Sequence, residues 1–452
     1  MASVFYTARK TIKNYANGGN VLIFATALAL LVVNLPFTKE FYESLWTHEI
    51  ALQIGGFNLF SHHGQPMSVM AFINDALMAI FFFSVGLEIK REVLVGELSS
   101  FRNALLPIVA AIGGMGVPVL IYYLMARGTN YVGGCAIPMA TDIAFSLGVL
   151  AMLGKRVPIG LKVFLTTLAV VDDIGGILVI AIFYSTHIDY MLLVWAACIL
   201  LALFVGGKLG IQSKLYYVIL GAGVWFCFLN AGIHPTIAGV LIAFCVPAKP
   251  VYAPKKYVQN IRKNILHFAH EDDEMLNKRK ILTKEQMNWL KEIESSSDKV
   301  ISPLQDMEDS LHPLVNYLIV PIFAFANAGI YFGTMEVSQL FHGIAPSIMV
   351  GLIGGKFLGI FLFAALCILL KWAPMPEGTN WWSLASVSLL GGIGFTVSLF
   401  IANLSFGAGD PISSELLNDA KLGILVGSLV AGILGWVALH FTLPKEAQDD
   451  EE

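Results

Sequence analysis

LAVVDDIGGI, residues 168–177, sets two aspartates side by side inside a run that is otherwise apolar. On a soluble domain such a pair would be ordinary surface, and the rest of the chain excludes that reading. The 452 residues are 56% hydrophobic and 13% charged, against about 25% charged in a typical soluble domain. Mean hydropathy is +0.72. A composition of this kind cannot all be the core of a water-soluble globule and reads as an integral membrane protein. The net charge of −4, with basic residues in short clusters between apolar runs, argues against a nucleic acid partner. Cys135, Cys198, Cys227, Cys245 and Cys367 all fall in apolar segments as small hydrophobes, and neither a disulfide framework nor a metal-ligand spacing follows from them.

Crossing about 30 Å of hydrocarbon takes roughly 20 apolar residues. Twelve stretches qualify, at 17–36, 67–88, 104–124, 132–153, 158–184, 189–206, 214–230, 231–248, 313–332, 342–370, 382–404 and 415–441. The fold class is therefore an all-α polytopic membrane protein. The basic N-terminus, MASVFYTARKTIKNY, leads into the first stretch without a cleavage site and reads as part of a retained helix. With both termini cytoplasmic, the inner segments hold Arg9, Lys10, Lys13, Lys90, Arg91, Arg102, Lys155, Arg156, Lys162, Lys208, Lys214, Lys371 and Lys445, and the outer ones hold Lys39, Arg127 and Lys421. Thirteen against three fixes the expected orientation.

The organisation expected is a membrane unit over 1–248, a polar cytoplasmic insertion over 249–312, a second membrane unit over 313–441 and an acidic cytoplasmic tail over 442–452. HEIALQIGGFNLFSHH, residues 47–62, alternates apolar residues around Gly55-Gly56 and predicts an external β-hairpin. Its exposed edge either pairs with a second subunit, giving a homodimer, or packs on its own chain. The insertion, with EDDEMLNKRK and KEQMNWLKEIESSSDK, reads as a partly helical solvated face or as a regulatory segment.

Against this background the buried ionisable groups stand out: Asp142 in CAIPMATDIAFSLGVL, Asp172 and Asp173, and Lys356 in GLIGGKFLGIFLF. A charge at the bilayer centre costs about 2.5 kcal/mol or more, so such residues face a cavity or a partner and mark an ion path. Three acids against one base do not cancel as a purely structural ion pair would. Neighbouring helical residues are rotated by about 100°, so Asp172 and Asp173 point apart. One can face a cavity while the other meets a partner such as Lys356. Burial and like-charge neighbours both favour the protonated form of a carboxyl, and a hard cation prefers oxygen ligands. A carboxylate in this position holds either a proton or a cation, and that competition suffices to couple their movements. Pro138 before Thr141-Asp142, and the glycines of GGIGFTVSLF (391–400), mark interruptions in corresponding early and late segments.

ATDIAFSLGVL (140–150), LAVVDDIGGI (168–177), FFSVGLEIKRE (82–92), AGIHPTIAGV (231–240), LHPLVNYLIVPIFAFANAG (311–329), GGKFLGI (354–360) and GGIGFTVSL (391–399) together resemble the NhaA family of bacterial sodium/proton antiporters. The match runs in order from about residue 15 to 440, apart from the insertion. The resemblance implies about twelve transmembrane helices with inverted repeats and two broken, crossing helices, the fourth and eleventh, an architecture known for this family. It implies a secondary active transporter of the bacterial inner membrane, not an enzyme. Sodium or lithium would be expelled for protons, electrogenically, under pH regulation and without a cofactor. Asp173 would be the main cation and proton carboxylate, with Asp172 as the second acid holding sodium. Asp142 would belong to the ion- and proton-binding set and also compensate half-helix N-termini, and Thr141 would help ligand the ion. Lys356 would either balance half-helix C-termini or pair with Asp172. Glu88, Glu92, His234, Glu308 and His312 match positions linked to the cytoplasmic mouth and pH response, or are plain helix-end polarity.

Three departures accompany the resemblance: the longer insertion, Asp309 where a histidine is often found, and Phe357 in place of a proline after Lys356. Two other function classes also use membrane carboxylates. A sodium-coupled symporter of related fold would need an organic-substrate cavity. An intramembrane aspartyl protease is suggested by GAGD (407–410), but Asp410 sits at a segment end before Pro411, and no Tyr-Asp partner motif occurs.

Overall fold

Hydrocarbon leaves no water to satisfy backbone amides, so only helices or closed barrels cross it, and continuous apolar runs without a barrel strand's alternation cross as helices. The computed structural model describes residues 18–444, except 55, 56, 59, 63, 64, 186, 187, 251, 269–282, 335, 336 and 408–410. Among the described residues nine helices are long and apolar enough to span a bilayer alone. Three further segments complete the twelve predicted spans. They are Gly18–Asn34, the ten-residue Thr236–Cys245, and Trp381–Leu390 with Phe395–Phe406, bent by 44° at residues 391–394. The protein is a helical, multi-pass membrane protein.

The spans follow in chain order as Gly18–Asn34, Val69–Val95, Phe101–Ala126, Val132–Ala151, Ile159–Phe183, Tyr190–Lys208, Lys214–Ala231, Thr236–Cys245, Pro303–Asn327, Ile344–Leu369, Trp381–Phe406 and Pro411–Thr442. The fourth is helical in the usual sense only over Ile143–Ala151, its first half being the 3-10 turns Val132–Gly134 and Ile137–Met139. The ninth begins at Pro303, where the apolar stretch begins only at 313. Residues 303–312 form its amphipathic first turns, burying Pro303, Leu304 and Met307 while Gln305, Asp309, Ser310 and His312 face outward. The second, ninth and tenth spans each contain a π turn, at Ile73–Leu77, Val315–Ile319 and Gly351–Gly355.

Close packing in hydrocarbon depends on small residues that let backbones touch. The tenth span presents Gly351, Gly355 and Gly359 four residues apart. A Cβ on Gly359 would lie 2.2 Å from the Gly113 carbonyl oxygen, one on Gly355 2.8 Å from Pro118 Cα, and one on Gly351 2.7 Å from Pro138 Cβ. Gly355 and Gly359 hold the tenth span to the third and Gly351 holds it to the fourth, with Lys356 between two of those glycines. The second and eighth spans pack the same way through Gly86 and Gly239. There the Lys90 ammonium donates to the carbonyls of Phe244, at 2.7 Å, and Val246, closing the end of the eighth span.

The segment between the first and second spans forms two small sheets. Gln53–Ile54 pairs with Phe57–Asn58 in the predicted hairpin, whose Gly55-Gly56 tip lies outside the described residues. Glu49–Ile50 and Ser61–His62 instead flank Gln65–Ser68, a strand beyond the expected boundary at 62. Ser68 ends that strand and starts the second span, its hydroxyl accepting from Ala71 N at 3.1 Å. In the insertion, Pro254–Phe268 packs on Lys284–Val300. Residues 445–452 of the acidic tail, and Asp410 of the GAGD motif, lie outside the described residues.

The glycine contact makes a direct prediction. Gly359→Ala should lower the thermal unfolding midpoint of the detergent-purified protein, because overpacking costs about 1–3 kcal/mol. Gly116→Ala, whose Cβ would meet nothing within 4 Å, should hold or slightly raise that midpoint.

Candidate functional site

Two interrupted helices cross at the centre of the protein. In the fourth span Ala140 and Asp142 are extended, with ψ of 150° and 103°, and the freed Asp142 N–H donates to the Ile393 carbonyl of the eleventh span at 2.7 Å. The Asp142 carboxylate caps two helices at once. Its Oδ1 accepts from Phe145 N at 3.0 Å, in its own half-helix, and its Oδ2 accepts from Thr396 N at 3.1 Å and Thr396 Oγ1 at 2.6 Å, in the other. One anion thus meets both positive helix ends.

The crossing is reciprocal. Ser146 and Ser398 each sit one turn inside the second half-helix, with N–H groups bonded to the carbonyls of Asp142 and Gly394. The Ser146 hydroxyl donates to Leu390 O at 3.1 Å and that of Ser398 to Ile137 O at 2.8 Å, so each seals the carbonyl end of the other span's first half. This exchange is what a pair of inverted repeats produces. The symmetry is incomplete: Gly394 occupies the position that Asp142 holds in the fourth span, and its N–H donates to Ser428 Oγ of the twelfth span at 3.3 Å instead of crossing to the fourth.

The fifth span, Ile159–Phe183, runs beside this crossing and carries the aspartate pair, Asp172 2% exposed and Asp173 6% exposed. Lys356 is fully buried and forms an ion pair with Asp172 Oδ2. The Thr141 hydroxyl joins them, accepting from Lys356 Nζ at 2.9 Å, with Asp172 Oδ2 at 2.6 Å and the Gly391 carbonyl at 2.9 Å as acceptors for its single proton. Of the two expected roles for Lys356, the direct contact is with Asp172; it meets the half-helix carbonyl only through Thr141. Asp172 Oδ1 is buried with no hydrogen-bond partner. The Asp173 side chain makes no hydrogen bond among the described residues. The charges acting on it are Asp172, Glu88 and Asp142, all of its own sign, and Lys356.

The residues matched to pH response divide into two places. Arg91 joins Glu92 at 3.0 Å and Glu308 at 3.1 Å, the latter as an ion pair and not an aligned hydrogen bond. Glu88 lies one turn before Glu92, partly buried, and His312 is exposed, with Asn316 Nδ2 at 3.0 Å from its Nε2. His234 is elsewhere. Its Nε2 faces Asp75 Oδ1 at 3.5 Å and its Nδ1 faces Thr236 Oγ1 at 2.8 Å. Asp75 and Glu92 stand 17 residues apart on the second span, about 25 Å at 1.5 Å per residue, so His234 sits towards the opposite end of that helix from the mouth cluster.

Sequence reasoning missed Thr396, Ser146, Ser398 and Asp75. Asp75 was open to the argument that found Asp142, being a carboxylate within an apolar stretch. The hydroxyls were not, since serine and threonine are common in membrane helices and only the crossing gives them partners. An amide chain was also missed: Asn403 Nδ2 donates to Asn327 Oδ1 and Asn327 Nδ2 to Asn74 Oδ1, both at 2.9 Å, tying the eleventh, ninth and second spans.

Comparison with known proteins agrees with this architecture. The family profile described as Na+/H+ antiporter 1 matches residues 9–439. The chain is 54% identical to the Na(+)/H(+) antiporter NhaA of Phocaeicola vulgatus over 98% of this chain and 97% of that protein. Identity is 52% to its namesake in Bacteroides fragilis over 97% and 99%, and 43% to that of Helicobacter pylori over 97% and 96%. Neither the symporter nor the protease reading finds support among these relatives. A crossing of two broken helices around buried carboxylates, matched over nearly the whole chain, places this protein in the NhaA family of Na+/H+ antiporters.

Proposed function

We propose that the chain expels sodium or lithium in exchange for protons, by competition of cation and proton at Asp173 and Asp172. The observation that carries this reading is the inequality within the pair: Asp172 is held by Lys356 and Thr141, whereas Asp173 has no partner among the described residues. An unpartnered carboxylate inside a membrane protein is stable when protonated or when it holds a cation, and not when bare. Asp173 is thus the entry ligand. Asp172, with its free Oδ1, and the Thr141 hydroxyl complete an oxygen set suited to a hard ion.

The ion pair supplies the second half of the exchange. A cation that takes Asp172 displaces the Lys356 ammonium into a buried, apolar setting, where the neutral amine is favoured and a proton is released. Loss of one proton at Asp173 and another at this pair makes the exchange electrogenic, more than one proton entering per sodium expelled. Asp142 stays outside this cycle, since its two oxygens are engaged by the half-helices. The arginine-bridged Glu92 and Glu308, beside Glu88 and His312, form the proposed pH-responsive mouth. The excess of basic residues on the inner segments supports an inner-membrane protein with both termini cytoplasmic, and the edge of the external sheets is the proposed contact in a homodimer.

Asp173→Asn should abolish sodium-driven proton flux in proteoliposomes while leaving the unfolding midpoint near that of the parent; substantial flux would remove Asp173 from its role. Lys356→Ala should lower both flux and stability, because it strands the Asp172 carboxylate. Retained exchange with lost stability would leave Lys356 a purely structural cation.

An inside-negative potential should accelerate sodium extrusion, since net positive charge enters in each cycle. Rates indifferent to an imposed potential would contradict an electrogenic exchange.

The ends of the insertion lie side by side, Tyr252 N donating to Lys299 O at 2.9 Å, so the segment between them can be excised without pulling the spans apart. Screening confines its charges to about 10 Å. Deleting 258–296 should therefore preserve exchange and shift its pH profile modestly, as read from flux against pH.

A further inference from the structure

A cleft of ≈1030 Å³ opens where three connections and a helix end meet: those between the second and third, fourth and fifth, and tenth and eleventh spans, and the end of the twelfth. It is apart from the ion site. Four basic residues line it, Arg102, Lys155, Arg156 and Lys162, against the acids Glu97 and Glu377. Among the described residues none of the four bases has a carboxylate within 4.0 Å.

Arg156 is spent on structure. Its guanidinium donates to the carbonyls of Pro444, His440 and Leu443 at 2.9, 2.8 and 3.1 Å, which closes the carbonyl end of the twelfth span. Arg102, Lys155 and Lys162 have no such employment. Three cations gathered into one concavity repel each other unless an anion joins them. The rim adds a second, independent feature. Phe101, Ile159 and Trp372, each beside or within the lining, are 80%, 63% and 56% exposed. Cations inside and large apolar side chains at the edge match a molecule with an anionic head and acyl tails. Basic pockets at the inner ends of membrane helices bind phospholipid heads by this arrangement.

We propose that this cleft is a binding site for a phosphate group, that of an anionic phospholipid of the adjoining leaflet. Arg102, Lys155 and Lys162 take the phosphate, and Phe101, Ile159 and Trp372 receive the upper acyl chains. Bound there, the lipid joins the connection at 371–380 to the start of the fifth span, the helix that carries Asp172 and Asp173. Those parts already touch, since a Cβ on Gly160 would lie 2.5 Å from the Glu377 carbonyl oxygen.

The test uses the full-length protein purified in neutral detergent. Dioctanoyl phosphatidylglycerol, dioctanoyl phosphatidylcholine and inorganic phosphate are titrated separately, with bound molecules counted by native mass spectrometry. Saturable phosphatidylglycerol binding is expected. It should weaken by on the order of a hundredfold in the triple variant R102Q/K155Q/K162Q, roughly fivefold per charge removed, and remain unchanged in Lys208→Gln, remote from the cleft. Should the triple variant fail to fold, Lys155→Gln and Lys162→Gln singly are each expected to show the fivefold loss. Inorganic phosphate that saturates the site and displaces phosphatidylglycerol would assign the same cations to a soluble phosphate. Equal binding of phosphatidylcholine, or phosphatidylglycerol binding unaffected by the substitutions, would overturn the proposal.

Discussion

The architecture depends on one carboxylate that satisfies two helix ends. Breaking a membrane helix exposes N–H and carbonyl groups where water is absent, and each orphan costs several kcal/mol. Asp142 answers this for both broken spans, with one oxygen for each N-terminus. Ser146 and Ser398 answer for the carbonyl ends. Because the bonds run from each span to the other, neither break is stable alone. The crossing is a single structural unit, and the proposed ion site, Asp172 and Asp173, lies against its side.

On the proposed reading, that arrangement separates structural from exchangeable charge. Asp142 carries an unchanging load and is fully engaged. Asp172 is shared, since Lys356 and Thr141 hold one of its oxygens and leave the other without a partner. Asp173 is the least constrained. The three acids thus form a graded series, and the gradient follows from their places in the chain: Asp142 at a break, and the other two adjacent on one helix and therefore pointing apart.

Much of this was legible in the residues themselves. The twelve spans follow from apolar length, and the breaks from Pro138 and from the glycines at 391–394. What could not be read was anything set by contact across spans. Whether Lys356 meets helix ends or Asp172 depends on the register of the tenth span against the third, fixed by Gly355 and Gly359 meeting Pro118 and Gly113. Thr396 looks like any hydroxyl in an apolar run until the fourth span is laid across it. His234 was grouped with distant glutamates because motif order does not report height in the membrane, and its partner Asp75 was passed over. The start of the ninth span was placed late because an amphipathic helix averages to polar in a hydropathy window.

The glycine stripe of the tenth span also limits how the protein can move. At Gly359 two backbones meet with no side chain between them, and four residues earlier Gly355 rests directly on Pro118. Surfaces that close leave no side chain between them to repack, so sliding or rolling costs the backbone contacts at Gly113 and Pro118 directly. The third and tenth spans therefore behave as one rigid beam, with Lys356 fixed along its length. Whatever rearrangement turns the ion site from one side of the membrane to the other must carry this beam as a whole or pivot around it. Within the tenth span the one irregular place is the π turn Gly351–Gly355, directly before Lys356, so bending of that span that does not fall in the connections falls beside the lysine.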